Sequence, residues 1–122
     1  MIQYHFNRDL QILEVTYEGE ISADDIIKHS LYIANNKELP RTLNILTDST
    51  KARHTFSLSI IKELLQYVEK SLQNYDYIKD AFIHSKPVET AYSHIFEKEK
   101  KHINYSHRIF STRKAALNWL NN

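Results

Sequence analysis

The chain has 122 residues, 42% hydrophobic and 25% charged, with a net charge of +1. That is one ordinary globular domain's worth of chain, and no whole-molecule field draws it to nucleic acid or anionic lipid. It has no cysteine and one glycine, Gly19, which excludes disulfides, thiol catalysis, cysteine-held zinc, the P-loop and the three-glycine dinucleotide fingerprint.

Met1 to Phe6 reads as a first strand, Asn7-Arg8-Asp9 as a turn, and Leu10 to Glu18 as a second strand. From Leu13 onward that second strand alternates, with Leu13, Val15 and Tyr17 on the buried side, so the two strands should form a hairpin. The charge within Met1 to Asp9 is wrong for a signal peptide, and no apolar run approaches the roughly 20 residues of a bilayer span. A cytoplasmic protein with no integral membrane segment is the expectation. Gly19 breaks the strand pattern, and Ser22-Ala23-Asp24-Asp25 then reads as a helix cap with an acidic third position, suited to the positive end of the helix. Ile26, Ile27, Leu31 and Ala34 are its expected buried stripe, and Asn35-Asn36 its end.

Leu43 to Thr47 is the candidate central strand, and Asp48 to Thr55 reads as a polar loop after it. The longest helix is expected from Phe56 or Ser57 to Gln73, with Ile60, Ile61, Leu64, Leu65, Val68 and Leu72 at helical spacing. Ala81 to His84 is the next strand, and Ser85-Lys86-Pro87 opens a third helix with Val88, Ala91, Tyr92, Ile95 and Phe96 inward. Ser106 to Phe110 and a short helix anchored by Ala116, Leu117 and Leu120 finish the chain. Helices between strands imply right-handed crossovers, so the expected fold is α/β: a mixed, mostly parallel sheet of about five strands with four helices. With no repeat or linker in view, residues 1–122 are read as one domain.

Two stretches resemble a known family. Gly19-Glu20-Ile21-Ser22-Ala23-Asp24-Asp25 is similar to the glycine, strand residue, cap and acidic helix start of SpoIIAA-like domains, the relatives of the STAS domains of sulphate transporters and anti-sigma-factor antagonists. Ile109-Phe110-Ser111 through Trp119-Leu120 resembles their closing signature. Both are structural punctuation and imply the SpoIIAA-like (STAS-like) architecture. In the antagonists an Asp-Ser-Ser-Gly motif opens the second long helix and a kinase phosphorylates one serine. Counting from Asp48, this chain has Phe56-Ser57-Leu58-Ser59 there, with Leu58 in the phosphoacceptor slot. The resemblance therefore implies a branch lacking that switch, although Ser57 and Ser59 flank the slot. The same general fold serves lipid-carrying CRAL-TRIO domains, which brings a small apolar ligand into view.

Ligands of open α/β sheets gather beyond the carboxyl ends of the strands, at helix N-termini. That places the candidate partner or ligand site at Asp48, Ser49, Thr50, Arg53, His54, Ser57 and Ser59, with His84 and Ser85 as a second wall; the same residues also suit ordinary helix caps. The seven histidines show no ligand spacing, so no metal and no cofactor is expected. A triad can be drawn from Ser57 or Ser49, His54 or His84, and Asp48, but no Gly-x-Ser-x-Gly turn presents a serine, and no catalytic residue is assigned. Basic residues near the C-terminus are diluted by Glu97 and Glu99 and lack interleaved aromatics, which argues against nucleic acid. The expected function is a non-enzymatic regulatory or protein-interaction module whose partner is another protein, a homodimer being compatible. The alternative is a carrier or sensor of a small apolar ligand.

Overall fold

The computed structural model describes residues 1–84 and 104–122. Strands β1 (Ile2–Asn7) and β2 (Ile12–Ile21) form the expected hairpin, paired antiparallel from Ile2 opposite Tyr17 to Asn7 opposite Ile12. Helix α1 (Ala23–Asn35) leads to β3 (Thr42–His54). A short 3-10 turn (Leu58–Ile60) opens α2 (Ile61–Leu72), followed by β4 (Tyr77–Ile83), β5 (Tyr105–Phe110) and α3 (Arg113–Leu120). The five strands lie in chain order, β1-β2-β3-β4-β5, and every pair after the first is parallel. The mixed sheet is as the sequence predicts. Three helices stand among the described residues; the helix predicted from Ser85 onward lies outside them.

Local chemistry fixes the element ends. Asn7 Oδ1 accepts from the Leu10 backbone N–H in the hairpin turn, where Gln11 takes the left-handed conformation (φ 55°). Leu10 is exposed and outside the strand. Ser22 and Asp25 form a reciprocal capping box: Asp25 N–H donates to Ser22 Oγ at 3.2 Å, and Ser22 N–H to Asp25 Oδ2 at 2.9 Å. Thr112 Oγ1 caps α3 by accepting from Ala115 N–H.

Two readings are corrected. The stretch from Asp48 to His54 is strand, not loop. Between Thr16 and Glu18 of β2 the register on β3 advances from Asp48 to Lys51, so β3 carries one extra residue. This bulge lets Ile45 and Ala52 share one core layer although they are an odd number of residues apart, which strict alternation forbids. The buried face of α1 is also turned. Ser30 and Ile33 are buried with Ile26 packed beside them, while Leu31 is 49% exposed.

The sheet has two apolar sides. Leu13, Val15, Tyr17, Ile45 and Ile78 pack with Ile33 of α1 and Leu72 of α2. Ile12, Leu46, Ala81 and Ile83 pack on the other side with Ala116 and Leu120 of α3. At the amino ends of the parallel strands, Arg41 fastens the connections: its guanidinium donates to the carbonyls of Leu39, Asn36 and Asn74 and lies 4.2 Å from the Tyr75 ring centre. The opposite end carries the polar groups.

Candidate functional site

On the side covered by α1 and α2, four neighbouring strand positions are polar and buried: Thr47 and Ser49 on β3, Asp80 on β4 and His107 on β5. His84, just past β4, joins them. Alternation brings them there: Ile78, Asp80 and Phe82 share a face of β4, and Asp80 pairs with His107 across to β5. Facing them are His29 and Ser30 of α1, and the bulge turns His54 of β3 inward as well.

Asp80, His107, His54, His29 and Ser30 border a cavity of about 90 Å³ between the sheet and the α1–α2 layer, while Thr47, Ser49 and His84 stand behind its lining. Its wall is mostly apolar, including Ile45, Ile61, Leu64, Leu72 and Ile78, with Tyr17, Phe56, Phe82 and Tyr105 as aromatic surfaces. The volume is well below the roughly 300 Å³ at which pockets for drug-sized ligands begin. Among the described residues, this space does not hold a lipid.

Asp80 is the most costly group in the wall. It is 6% exposed, and its two oxygens accept from Thr47 Oγ1 at 3.2 Å and Tyr105 Oη at 3.3 Å. Burial pushes its carboxyl up from 3.8 to about 7, against the opposing pull of those two hydroxyls. Its charge helps raise the Tyr17 phenol, which burial already lifts far above its ordinary value. Burial lowers His29 from 6.5 to about 4, so its ring is neutral at pH 7, with Nδ1 2.7 Å from Tyr4 Oη. Tyr4 in turn stacks on Tyr32, ring centres 3.8 Å apart. His107 lies against Phe82 at 4.4 Å, and His54 stands 5.2 Å from Phe56 and 6.2 Å from His84. Among the described residues no three histidine or carboxylate groups are set to hold a metal ion.

The residues singled out in the sequence divide. Ser49 and His84 do meet: Ser49 Oγ is 2.5 Å from His84 Nδ1 and 3.0 Å from the Ile83 carbonyl oxygen. A serine hydroxyl has one proton to give. Given to Ile83, it leaves Ser49 accepting from His84, the reverse of what a general base requires. With Ser49 only 1% exposed, the pair ties β3 to the end of β4. His54 belongs to the cavity wall. Asp48, on the opposite face by alternation, is held by Thr50, whose N–H and hydroxyl both donate to its Oδ1. Arg53 is exposed and pairs with Glu20. Ser57 and Ser59 are exposed at the start of the 3-10 turn, 2.8 Å from each other. Ser85 lies outside the described residues. The loop expected to unite these groups is therefore split between two faces and the surface.

The sequence does not single out Asp80 or Thr47, and it does not bring His29, His107 and Tyr105 together in one site. One signal was present: Tyr77-Ile78-Lys79-Asp80-Ala81-Phe82-Ile83 sets a carboxyl in phase with Ile78 and Phe82. A charge on the apolar phase of a strand marks either a wrong register or a site.

No family model matches the chain, and no curated protein matches it. Among solved structures it is similar to an uncharacterised DUF3478-family protein from Shewanella loihica PV-4 with a SpoIIAA-like fold. The two are 17% identical with a TM-score of 0.65, over 98% of this chain and 93% of that one. The chain has the SpoIIAA-like fold. Among its described residues no helix is long and apolar enough to cross a membrane.

Proposed function

We propose that this SpoIIAA-like chain is a non-enzymatic regulatory module that senses a small molecule in the cavity beneath α1 and α2 and passes its state to another protein. The observation that carries the reading is Asp80: a carboxyl nine-tenths buried in the wall of a mostly apolar cavity. An aliphatic side chain there would leave the fold more stable, and strongly displaced titrations in a cleft are characteristic of functional sites. The groups that could make a hydrolase support binding instead, since Ser49 is sealed in and its proton has a carbonyl to serve.

A route from cavity to surface supports the regulatory half. His29 lines the cavity and bonds Tyr4, and Tyr4 stacks on Tyr32, which is 37% exposed beside Leu31. One helix thus carries a cavity wall on one side and exposed apolar side chains on the other. The partner that reads this surface is another protein or a second copy of the chain, and the expected compartment is the cytoplasm. Phosphorylation is not the input in this reading, because Leu58 fills the slot the antagonists give to serine.

Native mass spectrometry of protein purified gently from its own host tests the proposal. A small mass retained natively, lost on denaturation, and lost again in Val68→Phe protein with its cavity filled is the expected result. Turnover of ester or phosphoester substrates that disappears in Ser49→Ala protein would overturn it.

A further inference from the structure

We propose that the cavity takes a compact organic ammonium ion, a small primary amine whose charged head meets Asp80 while its alkyl part lies against Ile45, Leu72 and Ile78. The inference rests on the sensing role proposed above and names the chemistry of what is sensed.

The Asp80 carboxylate offers about four lone-pair positions. Two are used, one on each oxygen, by the neutral hydroxyls of Thr47 and Tyr105 at 3.2 and 3.3 Å. The residue lines the cavity, so the remaining capacity has space before it. Among the described residues of the wall there is no lysine or arginine to answer the charge. A buried carboxylate is stable only when paired and hydrogen-bonded, and an ammonium ligand provides both at once. Tyr17, Phe82 and Tyr105 add aromatic rings, whose negative faces attract organic cations. An anion would meet like charge in the same place.

Size limits the ligand. The cavity's 90 Å³ has room for a handful of water molecules, at roughly 10–15 Å³ of such volume each. A branched alkylamine is of that order; an acyl chain is not.

Titration separates this class from a neutral one. The titratable groups on the described wall are Asp80 itself, His29 of α1, Tyr17 of β2, His54 of β3, and Tyr105 and His107 of β5; α2 brings only apolar residues and Ser71. Burial holds the Asp80 proton up to about pH 7. An ammonium ligand needs the ionised carboxylate, so its affinity rises with pH through that value. A neutral alcohol needs no ionisation and gains nothing there.

The test uses the whole chain, isobutylammonium chloride, and isobutanol as the uncharged match, with the methyl resonances of Ile45, Leu72 and Ile78 as readout. We expect the amine to shift those methyls above neutral pH and to bind about 10- to 100-fold more weakly to Asp80→Asn protein, the range for losing a charged hydrogen bond. Isobutanol should bind wild type and variant alike, which also shows that the variant's cavity is intact. Equal binding of amine and alcohol, with no loss in the variant, overturns the ammonium assignment while the sensing role stands. No movement of any cavity methyl with either probe overturns both.

Discussion

Replacing Asp80 with asparagine exposes how the buried groups set the pH dependence of stability. Folded Asp80 keeps its proton to about pH 7, whereas its free value is 3.8. Across that window of about three pH units the folded state holds a proton the unfolded state has lost, so stability falls as pH rises, by about 1.4 kcal/mol per unit and about 4 kcal/mol in all. His29 acts the opposite way. Its value drops from 6.5 to about 4, so its contribution is complete above 6.5 and is lost as pH falls, by about 3 kcal/mol. Between about pH 4 and 6.5 the two slopes cancel, and wild-type stability is nearly flat in these two groups. Asparagine presents one donor and one acceptor, much as a protonated carboxyl does, so Thr47 and Tyr105 can keep their bonds. The variant should match wild type near pH 4 and exceed it by roughly 4 kcal/mol near pH 8. Urea unfolding followed by Trp119 fluorescence, at several pH values across that range, gives the difference curve, from which groups common to both proteins drop out. Parallel curves for the two proteins would refute burial as the cause of the Asp80 displacement.

Further outcomes are expected elsewhere. His29→Gln should uncover the Asp80 slope, leaving a protein that weakens steadily from about pH 4 to pH 7 in the same urea series. Arg41→Lys should cost about 2 kcal/mol by urea midpoint, because an ammonium cannot span the carbonyls of Leu39, Asn36 and Asn74 or lie flat on Tyr75. Ser49→Ala should cost about 1–3 kcal/mol by removing the buried hydroxyl that bonds both the His84 ring and the Ile83 carbonyl. Gly19→Ala should cost about 1 kcal/mol from backbone alone, since φ is +73° and an added Cβ meets nothing within 4 Å.

The fold was legible wherever rules are local. Ser22 with Asp25, Thr112 before α3, and Leu13, Val15 and Tyr17 in alternation each announce their structure within a few residues. The far half of β3 was not legible, because its extra residue shifts the phase and leaves Asp48 to His54 without a period of two. The face of α1 was misjudged for a related reason: His29 and Ser30 occupy inward positions that a hydrophobic pattern awards to Ile27 and Leu31. For the site, Ser49, His54 and His84 could be named but not placed. Asp80 carries only its phase with Ile78 and Phe82 as a signal, and the assembled sheet alone separates a wrong register from a carboxyl facing a cavity.

The strand order also governs how the chain folds. Because β1 to β5 lie in the sheet in the order of the sequence, each strand docks beside the one just before it, and no pairing waits for a distant partner. Every crossover closes a loop of similar, moderate length, so the entropy of closure is met in comparable steps rather than at one large barrier. The β1–β2 hairpin is the natural template on which the later strands add in turn. The contacts of α3 are different: among the described residues, the Arg113–Glu14 ion pair, at 2.5 Å, joins α3 to β2 across 99 residues. It can form only after β5 has docked, which makes it a late contact: weakening it with Arg113→Ala should speed unfolding and leave the refolding rate unchanged.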